Sequence, residues 1–140
     1  MNKKKLAIGL SFFTTFGIFV YWLSVFTGAF PVVELIPGYV DWFMAFPLAD
    51  AWIGIMAFFG GYYLLKERES AVPFGISAGS GLIFLGLYAF LYGFNTGLLF
   101  MQTLDEYIEI AIKVYCLVVG SFFINYFWKA RRELLPKAIS

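Results

Sequence analysis

Four apolar stretches, Leu6 to Phe26, Leu48 to Leu65, Phe74 to Tyr92 and Ile110 to Trp128, fill most of this 140-residue chain. Each is close to the roughly 20 residues that carry a helix across about 30 Å of hydrocarbon. Lipid offers no partner to a backbone N–H or C=O, so such stretches cross it as helices that satisfy their own backbone. Composition agrees: 61% of residues are hydrophobic, 14% are charged, and the mean hydropathy is +0.82. A soluble domain has roughly half apolar and a quarter charged residues. The expected fold is therefore all-α: a polytopic membrane protein, a single four-transmembrane-helix bundle over residues 1–140. Its spans are expected at about 6–26, 42–65, 74–92 and 106–128. There is no internal repeat, low-complexity tract or domain boundary.

The formal net charge of +1 conceals a polarity along the chain. Lys3, Lys4 and Lys5 precede the first span, Lys66 and Arg68 separate the second and third, and Lys129, Arg131, Arg132 and Lys137 follow the fourth. The alternate connections, Thr27 to Pro47 and Gly93 to Glu109, hold Glu34, Asp41, Asp105, Glu106 and Glu109 without a Lys or Arg. The bias of basic residues toward the cytoplasmic side predicts that both termini are cytoplasmic. The first stretch is not read as a secretory leader, because a leader's apolar core is about 7–15 residues and ends at small residues. Here Tyr21 and Trp22 close the run at an interface. Trp22 and Trp42 on the outer side, and Trp128 with Tyr62 and Tyr63 on the inner, are expected as interfacial anchors.

Residue content removes several chemistries. Cys116 is the single cysteine, which excludes an intrachain disulfide, a dithiol redox pair and a cysteine metal cluster. Histidine is absent, and with it the commonest haem ligand, transition-metal ligand and proton shuttle. No metal site, no cofactor and no nucleic-acid partner are expected.

The connection from Thr27 to Phe46 is too apolar to float in water and is expected to lie over the mouth of the bundle, with Tyr39 and Trp42 as anchors. Pro47 admits two readings. Either a helix begins there, or a longer helix from near Gly38 is kinked where proline removes a bond to Phe43; the longer helix is the expectation. Thr103-Leu104-Asp105-Glu106 has the spacing of a capping box and starts the last helix near Leu104. Gly54, Ala57 and Gly61 in the second span, and Gly75, Gly79, Gly86 and Gly93 in the third, fall on shared faces that let backbones approach closely. Packing is the plain reading of these faces, and glycine hinges along a transport path the alternative.

Three polar groups form the candidate site: Asp50, Glu109 and Lys113. Asp50 continues the small-residue face of the second span, since positions 50, 54, 57 and 61 share one side of a helix. Lys113 is the one cation outside the basic clusters, and Glu109 precedes it by four residues, the favourable order for a helical ion pair. Charges inside a span face a partner or a wet cavity. The three are expected to converge near the outer mouth, with Lys113 paired to Asp50 or Glu109. Structurally the pair fixes helix register, or Lys113 snorkels outward; functionally it receives a ligand. Ser11, Thr14 and Thr15 are expected to bond their own helix carbonyls. An aromatic cage around Trp42, Trp52 and Tyr88 is a further option.

Phe46-Pro47-Leu48-Ala49-Asp50-Ala51-Trp52, Leu82-Ile83-Phe84-Leu85-Gly86, and Phe94-Asn95 before Gly97-Leu98 together resemble a set of small four-span bacterial integral membrane proteins to which no activity attaches. The resemblance implies a bacterial cell membrane. Other four-span families are excluded by their own motifs: the first span has no acid, unlike small multidrug-resistance transporters, and the CxxC of vitamin K epoxide reductase-like enzymes is missing. Three functions compete. The leading expectation is a non-enzymatic accessory or lipid-associated factor, with the lipid bilayer and a membrane-protein partner or second copy as its contacts. The alternative is a small transporter or ligand-binding bundle, entered from outside between spans 2 and 4. The third is a lipid-modifying enzyme, with Asp50 or Glu109 as acid or base; no catalytic residue is assigned.

Overall fold

The structure, a computed structural model, describes residues 2–135; Lys137, one of the basic residues above, lies outside them. The helices run in the order α1 (Lys3–Phe26), α2 (Tyr39–Phe43), α3 (Pro47–Leu65), α4 (Ala71–Thr96) and α5 (Leu104–Leu134), with a 3-10 turn at Leu98–Phe100 before α5. No strand occurs among the described residues. Lys3–Phe26, Tyr39–Leu65, Ala71–Thr96 and Leu104–Leu134 are long and apolar enough to cross a membrane, with mean hydropathies of 1.6 to 1.8. The outer surface fits that solvent: Phe16, Phe19, Phe84 and Leu104 are each more than 60% exposed. A large, continuous apolar exterior marks a membrane or partner surface.

The long helices pack as a row, α1 on α3, α3 on α4 and α4 on α5, while α1 and α5 meet only lightly. Lys4 pairs with Glu67, tying the start of α1 to the α3–α4 turn. Basic residues 3–5, 66, 68, 129, 131 and 132 therefore gather at one end of the bundle, and the acidic connections at the other, called here the distal end. The row holds together by close backbone approach. A Cβ built on Gly79 falls 2.7 Å from the carbonyl oxygen of Gly120, one on Gly120 falls 2.7 Å from that of Gly79, and one on Gly60 falls 3.1 Å from the Gly75 backbone. Where lipid removes the hydrophobic drive between helices, such contacts replace it. Phe123 and Phe127, both fully buried, fill the α4–α5 interface between these glycines.

The reading of one kinked helix from Gly38 to Leu65 is corrected. The chain forms two helices joined by a tight turn: the N–H groups of Ala45 and Phe46 reach back three residues to the carbonyls of Trp42 and Phe43, each at 3.2 Å. Pro47 then occupies the first turn of α3, where its missing donor is no loss. Glu34 caps the short α2, its carboxylate accepting from the N–H of Val40 at 2.9 Å and from that of Gly38. At the head of α5, Thr103 accepts from the Glu106 N–H at 3.3 Å, but the side chain of Glu106 turns inward instead of back to the cap.

One exposed turn carries backbone strain. Helix α3 ends in a Schellman arrangement, with Arg68 N–H bonded to Tyr63 C=O at 2.9 Å and Glu67 N–H to Leu64 C=O at 3.1 Å. Its left-handed position is Glu67, at φ 54. Lys4 holds the Glu67 carboxyl below the usual carboxylate range, so their attraction is present near neutral pH and fades as pH falls through the lowered value. This pair is solvent-exposed and worth little, whereas a left-handed non-glycine residue costs about 1–2 kcal/mol. Glu67→Gly is therefore expected to leave the melting temperature unchanged or slightly raised. A drop of several degrees would show that the Lys4 pair matters more than the backbone.

Candidate functional site: a cavity opening sideways

Adjacent residues near the distal end of α1 reach in two directions. Trp22 donates its indole N–H to Asp50 Oδ2 on α3 at 2.7 Å, and Tyr21 donates its hydroxyl to Glu109 Oε1 on α5 at 3.1 Å. Two carboxylates from helices that do not pack on each other are thereby drawn to the same level. Between them lies a cavity of about 450 Å³, walled by all four long helices and by Trp42, Phe43 and Phe46 of the α2 segment. Asp50, Glu109 and Lys113 all line it. The remaining wall is largely apolar, including Ile18, Leu82, Leu85 and Cys116.

The expected ion pairs are corrected. Lys113 binds Glu106 at 3.1 Å, both residues being at least 90% buried, and neither Asp50 nor Glu109 stands within ion-pair distance of a cation among the described residues. Residues 106 and 113 lie two turns apart on one face of α5, a spacing that the sequence reading passed over because it gave Glu106 to the capping box. The Lys113 ammonium also sits 3.7 Å from where a Cβ on Gly93 would be, so that glycine leaves it room. Asp50 is 8% exposed, and its Oδ1 has no hydrogen-bond partner among the described residues; the same holds for Trp42 Nε1, on the same cavity wall.

Trp22, expected as an interfacial anchor, is 7% exposed and serves the interior instead, because Asp50 claims its N–H. Trp42 lies inside the distal end, its ring stacked on Tyr92 with centroids 3.8 Å apart. Trp128 is outward-facing and carries the Arg131 guanidinium 3.5 Å above its ring. Trp52 faces outward at 58% exposure, so no cage forms from Trp42, Trp52 and Tyr88. Ser11 and Thr15 do bond the carbonyls one turn back, at 2.8 and 3.0 Å. Thr14 differs: its hydroxyl meets that of Tyr115 at 2.7 Å, across to α5.

Those cross-links define an opening. Thr14–Tyr115 and Tyr21–Glu109 are the two side-chain hydrogen bonds between α1 and α5 among the described residues, and seven residues separate them on α1, ~10 Å along the axis at 1.5 Å per residue. Every exposed residue on the cavity wall belongs to these two helices: Phe13 and Gly17 on α1, and Ile108, Ala111 and Ile112 on α5. Gly17 lies between the two bonds, and a Cβ added there meets nothing within 4 Å. The cavity thus opens sideways between α1 and α5. Above it the distal end is packed shut, where Trp22, Tyr39, Phe43 and Leu98 form a second buried cluster.

Chemically, the site has a polar end, where Asp50 Oδ1 and Trp42 Nε1 are buried without hydrogen-bond partners among the described residues, and an apolar body beneath. Comparison with protein-family models, with curated proteins and with solved structures finds no match for this chain.

Proposed function

We propose that the protein is a non-enzymatic, lipid-associated membrane factor. In this reading it sits in a bacterial cell membrane with both termini cytoplasmic, and takes one amphipathic molecule from the bilayer through the window between α1 and α5. The observation that carries the reading is the placement of the cavity's exposed wall: it lies wholly on the two helices flanking the seam. Gly17 is nine residues from the end of α1, ~14 Å of rise and near mid-depth of a ~30 Å hydrocarbon layer. A chain can pass there without leaving lipid, while its head rises toward Asp50 and Glu109. The volume of about 450 Å³ lies within the range of sites for drug-sized molecules, roughly 300–1,000 Å³. It suits one chain and a small head, and the second chain of a two-chain lipid would stay outside the window. Binding is favoured over catalysis because an indole and a phenol hold the cavity's carboxyl groups.

Native mass spectrometry of the protein released from mild detergent tests this against Gly17→Phe, which adds a bulky side chain at the window where a Cβ alone meets nothing within 4 Å. The wild type is expected to retain a small-molecule adduct and Gly17→Phe to lose most of it. An adduct equally abundant in both, or a bare wild-type monomer, would contradict the reading. A second protein in the complex would favour an accessory subunit instead.

A further inference from the structure

Resting on that reading, we infer that the head of the bound molecule is a cation, an ammonium carried on a single apolar chain. The cavity wall carries two carboxyl groups that have no cation beside them among the described residues. Lys113 is committed to Glu106 at 3.1 Å, which leaves Asp50 and Glu109, both on the cavity wall, with no cation in ion-pair reach among the described residues. Glu109 has Tyr21 as a donor on Oε1 and Asp50 has Trp22 on Oδ2, one side-chain donor each. The Asp50 Oδ1 is buried without a hydrogen-bond partner among the described residues, on a residue 8% exposed, so an ammonium reaches it by displacing the side chains that cover it. A buried charge persists when it is paired or hydrogen-bonded, and a charge-assisted bond is about twice as strong as a neutral one.

The rest of the wall suits the same head. Tyr21, Trp22, Trp42, Phe43 and Phe46 bring five aromatic rings to the polar end, and aromatic faces attract cations. An anionic head would meet two carboxylates, with Lys113 already engaged.

The test uses the full chain in a neutral detergent, with dodecylamine, dodecanol and dodecanoate as probes and intrinsic tryptophan fluorescence as the readout. Dodecylamine is expected to bind the wild type about ten- to a hundredfold more tightly than dodecanol, and dodecanoate to bind more weakly than either. Asp50→Asn should bring the amine down to about the alcohol's affinity in that variant. Should that variant fail to fold, the comparison of the three probes on wild type stands by itself. Equal binding of amine and alcohol overturns the cationic head and leaves the cavity's amphiphile reading intact; binding of none of the three overturns that reading as well. The source is resolved in nanodiscs. If phosphatidylethanolamine in place of phosphatidylcholine weakens dodecylamine binding severalfold, the ammonium is recognised on a bilayer lipid. If selectivity for the amine persists without that competition, it is recognised on a free single-chain amine.

Discussion

Lys113→Met is expected to lower stability by about 3–5 kcal/mol, the cost of breaking a buried ion pair and stranding one charge. The stranded charge is Glu106, 7% exposed and bonded through its side chain to Lys113 alone among the described residues. Converting it as well, in Lys113→Met with Glu106→Gln, should recover part of the loss, because a buried neutral amide costs less than a buried unpaired charge. The N-cap survives in the double variant, since Thr103 bonds the backbone of residue 106 and not its side chain. Lys113→Met with Asp50→Asn should show no such recovery, since Asp50 is not the partner. Thermal melts of the four proteins in one detergent decide the matter. A double variant with Glu106→Gln that melts as low as Lys113→Met would exclude the pair as the reason for the lysine's burial.

Gly79→Ala and Gly120→Ala should each cost roughly 1–3 kcal/mol, the range for forcing an extra carbon into a packed interface. The obstacle at both sites is a backbone carbonyl oxygen 2.7 Å away, which no rotamer change removes; α4 and α5 must move apart. Since each substitution relieves the other's crowding once the helices separate, the double variant should cost less than the sum. Gly9→Ala is the control. It lies in α1 with open space around its Cβ, and by removing a helical glycine it is expected to gain up to about 1 kcal/mol. If all three glycines respond alike, close approach of α4 and α5 is not what holds the row together.

The fold was readable from the chain to an unusual degree because lipid leaves few alternatives. Four long apolar runs, the cap at Thr103 and the glycine faces of α3 and α4 each follow from local pattern, and the helices and contacts match them. The break at 44–46 was not readable, since the choice between a kink and two helices depends on where Phe43 C=O finds a donor, and that donor is Phe46 N–H. The candidate site was half legible. Distance from the distal ends of two helices, α3 for Asp50 and α5 for Glu109 and Lys113, places the three at similar levels, and they line one cavity. Their direct partners come from contacts across helices, which spacing does not contain. Trp22 and Tyr21 carry the same sequence signal as any interfacial aromatic pair, and the window at Gly17 arises only from how α1 and α5 diverge.

An amphiphile lying inside the bundle is detected most directly by quenching of Trp22 with a long-chain amine brominated on its tail. Trp22 lines the cavity and is shielded from the outside at 7% exposure, whereas Trp52 is 58% exposed on the outer surface. In a protein keeping Trp22 alone, with the other tryptophans changed to phenylalanine, quenching should be saturable, reversed by unbrominated amine and suppressed by Gly17→Phe. A companion keeping Trp52 alone should be quenched without saturation. Quenching of Trp52 with none of Trp22 would mean that the chain stays in the bilayer and the cavity is not its site.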